Sequence, residues 1–119
     1  MEDELIELLE SFGYPVIRQG SLAPDSSYPN TFFTFWNNDE TGESFYDNET
    51  ASVDYSYDIN VYSNDPDLTY SLLSQARILL KQNRWIIATR GYDVPSDEIT
   101  HTGRGMEVIY LNYENIGGN

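Results

Sequence analysis

Residues 51–82 read ASVDYSYDINVYSNDPDLTYSLLSQARILLKQ, and the hydrophobic period changes within them. Up to Ser63, Val53, Tyr55, Tyr57, Ile59 and Val61 fall on one side and Asp54, Ser56, Asp58 and Asn60 on the other, the two-residue repeat of a strand with one buried face. From Leu68 the repeat is helical, with Leu72, Leu73, Ala76, Leu79 and Leu80 on one face as far as Lys81 or Gln82. Between the two lies a helix start. Asp65 can accept from the first free amides, and Pro66 suits a first helical position because its missing N–H would have no partner there. A strand leading into an amphipathic helix predicts a sheet with that helix laid on it.

Upstream, Thr31–Asn37 is aromatic and β-branched, with Phe32, Thr34 and Trp36 on one face and Phe33 and Phe35 on the other. Asn38 to Ser44 is polar and turn-like, so the two strands are expected to form a long antiparallel hairpin. Residues 2–12 place Leu5, Ile6, Leu8, Leu9 and Phe12 on one stripe behind an acidic first turn, a short helix ended by Gly13. Tyr14 to Ile17 then reads as a short edge strand, and Gln19 to Asn30 as a long loop. Downstream, Trp85–Thr89 has strand character, Gly91–Thr102 reads as a connector, and Met106–Tyr113 is a last alternating strand. The fold class is therefore α+β: two layers, a mostly antiparallel sheet with mixed pairing allowed, and two helices on one face. A single domain is expected over residues 1–114, with a flexible tail at 115–119.

The chain has 119 residues, enough for one core, and a formal charge of -14. Duplex or RNA binding needs clustered Lys and Arg at the phosphates, so nucleic acid is not an expected partner. No stretch has the length and apolarity of a membrane helix, and the acidic opening residues lack the positive start of a secretory leader; neither a leader nor a membrane contact is expected. The absence of cysteine removes disulfides, thiolate nucleophiles and sulfur-rich metal sites.

The chemistry-bearing patterns are weak. His101 is the sole histidine, and a general base would also need an orienting carboxylate, for which Asp93, Asp97 or Glu98 are the local candidates. The simpler reading is a residue that caps or bridges the loop entering the last strand, with Gly103 and Gly105 permitting a turn. Thr102-Gly103-Arg104-Gly105 lacks the lysine and following helix of a phosphate loop. Asp39, Glu40, Glu43, Asp47 and Glu49 do not match a calcium loop. Asp54 and Asp58, four residues apart on a strand, stand about 13 Å from each other, too far for either glycosidase geometry. No catalytic residue, cofactor or metal is expected.

Charge distribution says more. Between Gln19 and Ala76 there are ten acids and no base, whereas Arg77, Lys81, Arg84 and Arg90 occupy a stretch without an acid. Arg77, Lys81 and Arg84, at spacings of four and three, are expected along one side of the helix end. That patch could complement the helix terminus, or meet the acidic hairpin of a neighbouring copy head to tail. Ten tyrosines exceed what so small a core can satisfy and suit a surface that contacts protein or carbohydrate.

Ser11-Phe12-Gly13-Tyr14-Pro15-Val16, Gln19-Gly20-Ser21-Leu22, Tyr28-Pro29-Asn30 with the aromatic strand through Asn38, Tyr62-Ser63-Asn64-Asp65-Pro66, Gly91-Tyr92-Asp93-Val94 and His101-Thr102-Gly103-Arg104-Gly105 resemble a small family encoded in bacteriophages and prophages. Size and plan are similar to the tail-terminator and head-tail joining (tail completion) proteins of long-tailed phages. That resemblance implies a non-enzymatic ring, commonly hexameric, which caps the tail tube and meets the tail-tube and head-connector proteins. It also implies residence in the virion tail after assembly in the bacterial host cytoplasm. The expected contact residues are Leu22, Asp39, Glu40, Glu43, Phe45 and Tyr46 on the loops, with Arg77, Lys81 and Arg84 toward a neighbouring subunit. Two other readings are a phage-encoded carbohydrate-binding protein or small hydrolase, and a monomeric prophage regulatory protein that binds a host protein.

Overall fold

The computed structural model describes residues 2–18, 29–42, 50–96 and 98–115. The chain runs α1 (Glu2–Glu10), β1 (Val16–Arg18), β2 (Thr31–Gly42), β3 (Thr50–Ser63), α2 (Pro66–Gln82), β4 (Ile86–Ile87), β5 (Tyr92–Val94) and β6 (Thr102–Asn115). The strands form one sheet in the order β1-β2-β3-β6-β4, with β5 on the same side of β6 as β4. Both helices cover one face, so the α+β two-layer reading holds.

Pairing is antiparallel except at one edge. β1 runs parallel to β2, with Val16 opposite Phe33 and the Pro15 carbonyl accepting from the Phe33 amide at 2.9 Å. Proline has no amide to donate, so this end of the segment can only accept, as suits an edge strand. β2 is longer than expected. The residues read as a turn, Asn38 to Gly42, continue the ladder against Val53–Ser56 after a register shift between Asn37 and Asp39. A bulge lets a polar stretch stay in a sheet by absorbing one unmatched residue, which local turn propensity does not reveal. β6 likewise begins at Thr102 and pairs with β3 along its full 14 residues. The strand expected over 85–89 shrinks to Ile86–Ile87, and the expected connector contains β5, which pairs with Gly103–Gly105. Position 115 closes β6, and the rest of the expected tail lies outside the described residues.

The start of α2 is as specified. The Asp65 carboxylate accepts from the Asp67 amide at 3.1 Å, and the Ser63 hydroxyl accepts from the Asp65 amide at 3.0 Å. At the other end the Trp85 amide donates to Leu80 and the Arg84 amide to Lys81, the paired bonds of a Schellman ending. Its left-handed position, where glycine is usual, holds Arg84 at φ 73°.

The core lies between helices and sheet. Leu5 and Leu9 of α1 and Leu72, Leu73, Ala76 and Leu80 of α2 pack on Phe33, Phe35, Tyr57, Ile59, Val61, Met106 and Val108. A nine-residue helix is marginal alone, and burying Leu5 and Leu9, at roughly 2 kcal/mol each, holds α1 in place. Trp85 joins the layers: its indole N–H donates to Glu4 at 3.1 Å, and its ring meets Tyr57 and Tyr110 edge-on. β3 and β6 reach roughly 46 Å at the usual strand rise, whereas α2 spans roughly 26 Å, so the distal ends of β2, β3 and β6 project past the helix layer.

Candidate functional site

Three places were candidates in the sequence: the surroundings of His101, the acidic hairpin and the cationic end of α2. His101 precedes β6. Its Nε2 lies 2.8 Å from the Pro29 carbonyl and its Nδ1 2.9 Å from the Thr100 hydroxyl, and its ring leans on Phe32, which stacks on Tyr62 at 5.3 Å. Both ring nitrogens are thus engaged, and the Nε2 bond ties the loop entering β6 to the residues before β2. Gly103 and Gly105 sit inside β6 and make no turn; their role is close approach. A Cβ on Gly103 would lie 2.7 Å from Tyr62 and from Val94, and one on Gly105 would collide with the Asn60 side chain.

Beside His101 is an open cleft of about 420 Å³, lined by Pro66 and Tyr70 of α2, Val94 and Pro95, and Gly103 and Arg104. The Arg104 guanidinium lies 4.3 Å from the Tyr70 ring centroid and pairs with Asp93 at 2.7 Å, so the one cation in the cleft is already neutralised. No group of three or more potential metal ligands occurs among the described residues. Nor is any helix among them long and apolar enough to cross a membrane.

Of the expected contact residues, Leu22, Glu43, Phe45 and Tyr46 lie outside the described residues. Asp39 and Glu40, expected on a loop, stand in β2 opposite Ser56 and Tyr55, because the bulge keeps this stretch paired. Arg77 and Lys81 lie on α2 as expected. Arg84 is past the helix end, in the left-handed position, so it leaves the helix as a turn residue and does not complete a helical row. The described ion pairs are Arg18–Glu2 and Arg104–Asp93; none involves Arg77, Lys81, Arg84 or Arg90. Lys81 and Arg84 are exposed and Arg77 is half-buried.

The opposite face of the sheet carries a feature that one-dimensional reading missed. The β2–β3–β6 register sets Trp36 beside Asp58 and Asp58 beside Glu107, in one row across three strands. These side chains point away from the helices, since their neighbours Phe35, Tyr57, Met106 and Val108 form the core. Asp58 accepts from Asn38 at 3.0 Å and from the Tyr92 hydroxyl, and Glu107 accepts from Ser56 at 2.9 Å. All these donors are neutral. Burial, followed by the charges of Asp58 and Glu107, raises the Tyr92 hydroxyl above its ordinary pKa, consistent with a locally negative face. The carboxylate partner of Asp58 is therefore Glu107 across the strand, not Asp54 along it. Only pairing could reveal this, because the two acids are 49 positions apart.

Neither a family model nor a curated protein sequence matches the chain. Among solved structures, the fold is similar to the sheath/tube terminator of an extracellular contractile injection system, PVC, in its extended state, with a TM-score of 0.48 and 12% identity. The likeness is one of fold. The aligned region covers 98% of this chain and 57% of that one, so this chain spans little more than half the length of that terminator.

Proposed function

We propose that the protein is a structural component of a phage or prophage tail, a non-enzymatic subunit that self-associates as a ring at the end of the tail tube. The observation that carries this reading is the cationic end of α2: among the described residues Arg77, Lys81 and Arg84 make no ion pair, although the chain has a net charge of -14. Such cations are available to a neighbour, and a heterologous contact of this kind closes into a ring where the rotation allows. The resemblance of its motifs to a family encoded in bacteriophages and prophages, and of its size and plan to tail-completion proteins, points the same way. The open cleft beside His101 fits the reading too, because a site for turnover would be enclosed and would leave the imidazole free to take a proton. The projecting ends of β2, β3 and β6 are the part that would meet the tail-tube protein, and the head connector would sit on the far side of the ring. Assembly would take place in the bacterial cytoplasm, with the finished subunit in the virion tail.

Negative-stain imaging of the purified protein, alone and mixed with tail tubes, tests this. Rings or capped tubes are expected. A protein that stays dispersed and leaves tube ends bare would refute it. Reversing Lys81 and Arg84 to Glu should reduce the assembled fraction and its salt dependence while the monomer stays folded.

A further inference from the structure

The two layers of the molecule present complementary outer surfaces, and this complementarity rests on the self-association just proposed. On the helix layer, Arg77 and Lys81 are one turn apart, roughly 6 Å along the axis. Between them lies Ile78, an apolar side chain 53% exposed. On the sheet layer, Asp58 and Glu107 are direct cross-strand neighbours, whose Cβ atoms are typically about 5 Å apart. Next to them in the same row stands Trp36, 51% exposed. One surface is thus two cations around an aliphatic residue, and the other is two carboxylates flanked by an indole.

Like charges set directly opposite on adjacent strands destabilise a sheet. Here neither member has a cation within ion-pairing distance among the described residues, although four of the six basic residues are uncommitted there. The repulsion would be relieved if a cation came from outside, and an exposed tryptophan beside the carboxylates adds a cation–π surface for it. The run of cations Arg77, Lys81 and Arg84 is on and just past the helix of the opposite layer, and none of them pairs with Asp58 or Glu107 within the described residues.

We infer that the α2 face of one copy docks on the outer sheet face of the next, with Arg77 and Lys81 against Asp58 and Glu107 and Ile78 against Trp36. Copies then stack helix layer on sheet layer, a head-to-tail arrangement that uses different patches on the two sides and leaves none unpaired once closed. The distal ends of β2, β3 and β6 lie outside this contact and stay available to another protein.

Zero-length carbodiimide coupling tests the inference sharply because Lys81 is the only lysine. The full-length protein is coupled at high concentration and low salt, and the linked peptides are mapped by mass spectrometry. The expected result is a covalent dimer joining Lys81 to Asp58 or Glu107, lost in the Asp58→Asn/Glu107→Gln variant. In sedimentation the same variant should self-associate at least tenfold more weakly. Mixing an Arg77→Glu/Lys81→Glu protein with an Asp58→Lys/Glu107→Lys protein should restore a dimer that neither forms alone. Dimers linked from Lys81 to Asp39, Glu40 or the 43–49 segment would overturn this contact and leave the ring reading intact. A protein that neither couples between chains nor departs from monomer mass would overturn this contact, and bare tube ends in the imaging would overturn the ring reading as well.

Discussion

The two faces of one sheet are built from the same strands and serve opposite ends. Toward the helices, Phe33, Phe35, Tyr57, Ile59, Val61, Met106 and Val108 are enclosed in the core. Away from them, the alternate positions hold Phe32, Thr34 and Trp36, then Ser56, Asp58, Asn60 and Tyr62, then Gly103, Gly105, Glu107 and Ile109. Near the β1 end this second face is closed over Phe32 by Tyr62 and His101, and toward Trp36 it opens to solvent. The inner face excludes water, and its buried polar residues Thr31 and Ser63 hydrogen-bond to each other at 2.9 Å. The outer face is more polar: its carboxylates are held by neutral donors and its tryptophan is exposed.

Substitutions on each side put that contrast at risk. Leu80→Ala, at a fully buried position under the sheet, should cost about 2–5 kcal/mol in denaturant unfolding. A cost near zero would mean that the helix layer contributes little. Gly105→Ala should be the most damaging change on the outer face, about 1–3 kcal/mol, because the new methyl group meets Asn60 and crowds Tyr92 and Val94. Full tolerance would show that β5 is not seated over β6 as described. Thr34→Val acts in the other direction. The Thr34 hydroxyl is buried without a hydrogen-bond partner, so replacing it by a methyl group should raise stability by about 1 kcal/mol, read as a higher denaturant midpoint.

Arg84→Gly should stabilise the fold by about 0.5 kcal/mol, since the left-handed position disfavours a side chain while glycine gives back some of that gain as chain entropy. If the same variant also loses self-association, the cation is kept there for a contact and not for the turn. The smallest effect is expected from pH. Because the Tyr92 hydroxyl has a folded pKa raised above 10.0, the stability it contributes is complete below that value and disappears as the pH rises through the folded pKa. Tyr92→Phe should flatten the alkaline fall in midpoint, and an unchanged alkaline limb would remove Tyr92 from the outer-face network.

How much of this was legible varies by element. The Asp65-Pro66 start of α2 and its end at Gln82 follow from capping chemistry within a few residues, so they were readable. So was the alternation in β3, because one strand face met a continuous core. The stretch Asn38–Gly42 was not: its polar residues suit a turn, and only the bulge and the partner strand keep them extended. β5 was hidden for a similar reason, since three residues carry too little periodicity to announce a strand until Gly103 and Gly105 make room for it. Of the candidate contact residues, the cations on α2 were visible as a run without acids. The outer-face pair Asp58–Glu107 was not legible, because its two acids come from distant segments.

By itself the sequence determined the strand and helix periods, the caps of α2, the excess of negative charge and its segregation from the cations. These depend on neighbours within about one turn of chain or on simple sums. Which strands pair, the parallel edge at β1, and the row Trp36–Asp58–Glu107 were decided by tertiary structure alone. Register is set by how two distant segments share one core, and a slip of a single residue would have turned that row to the inside.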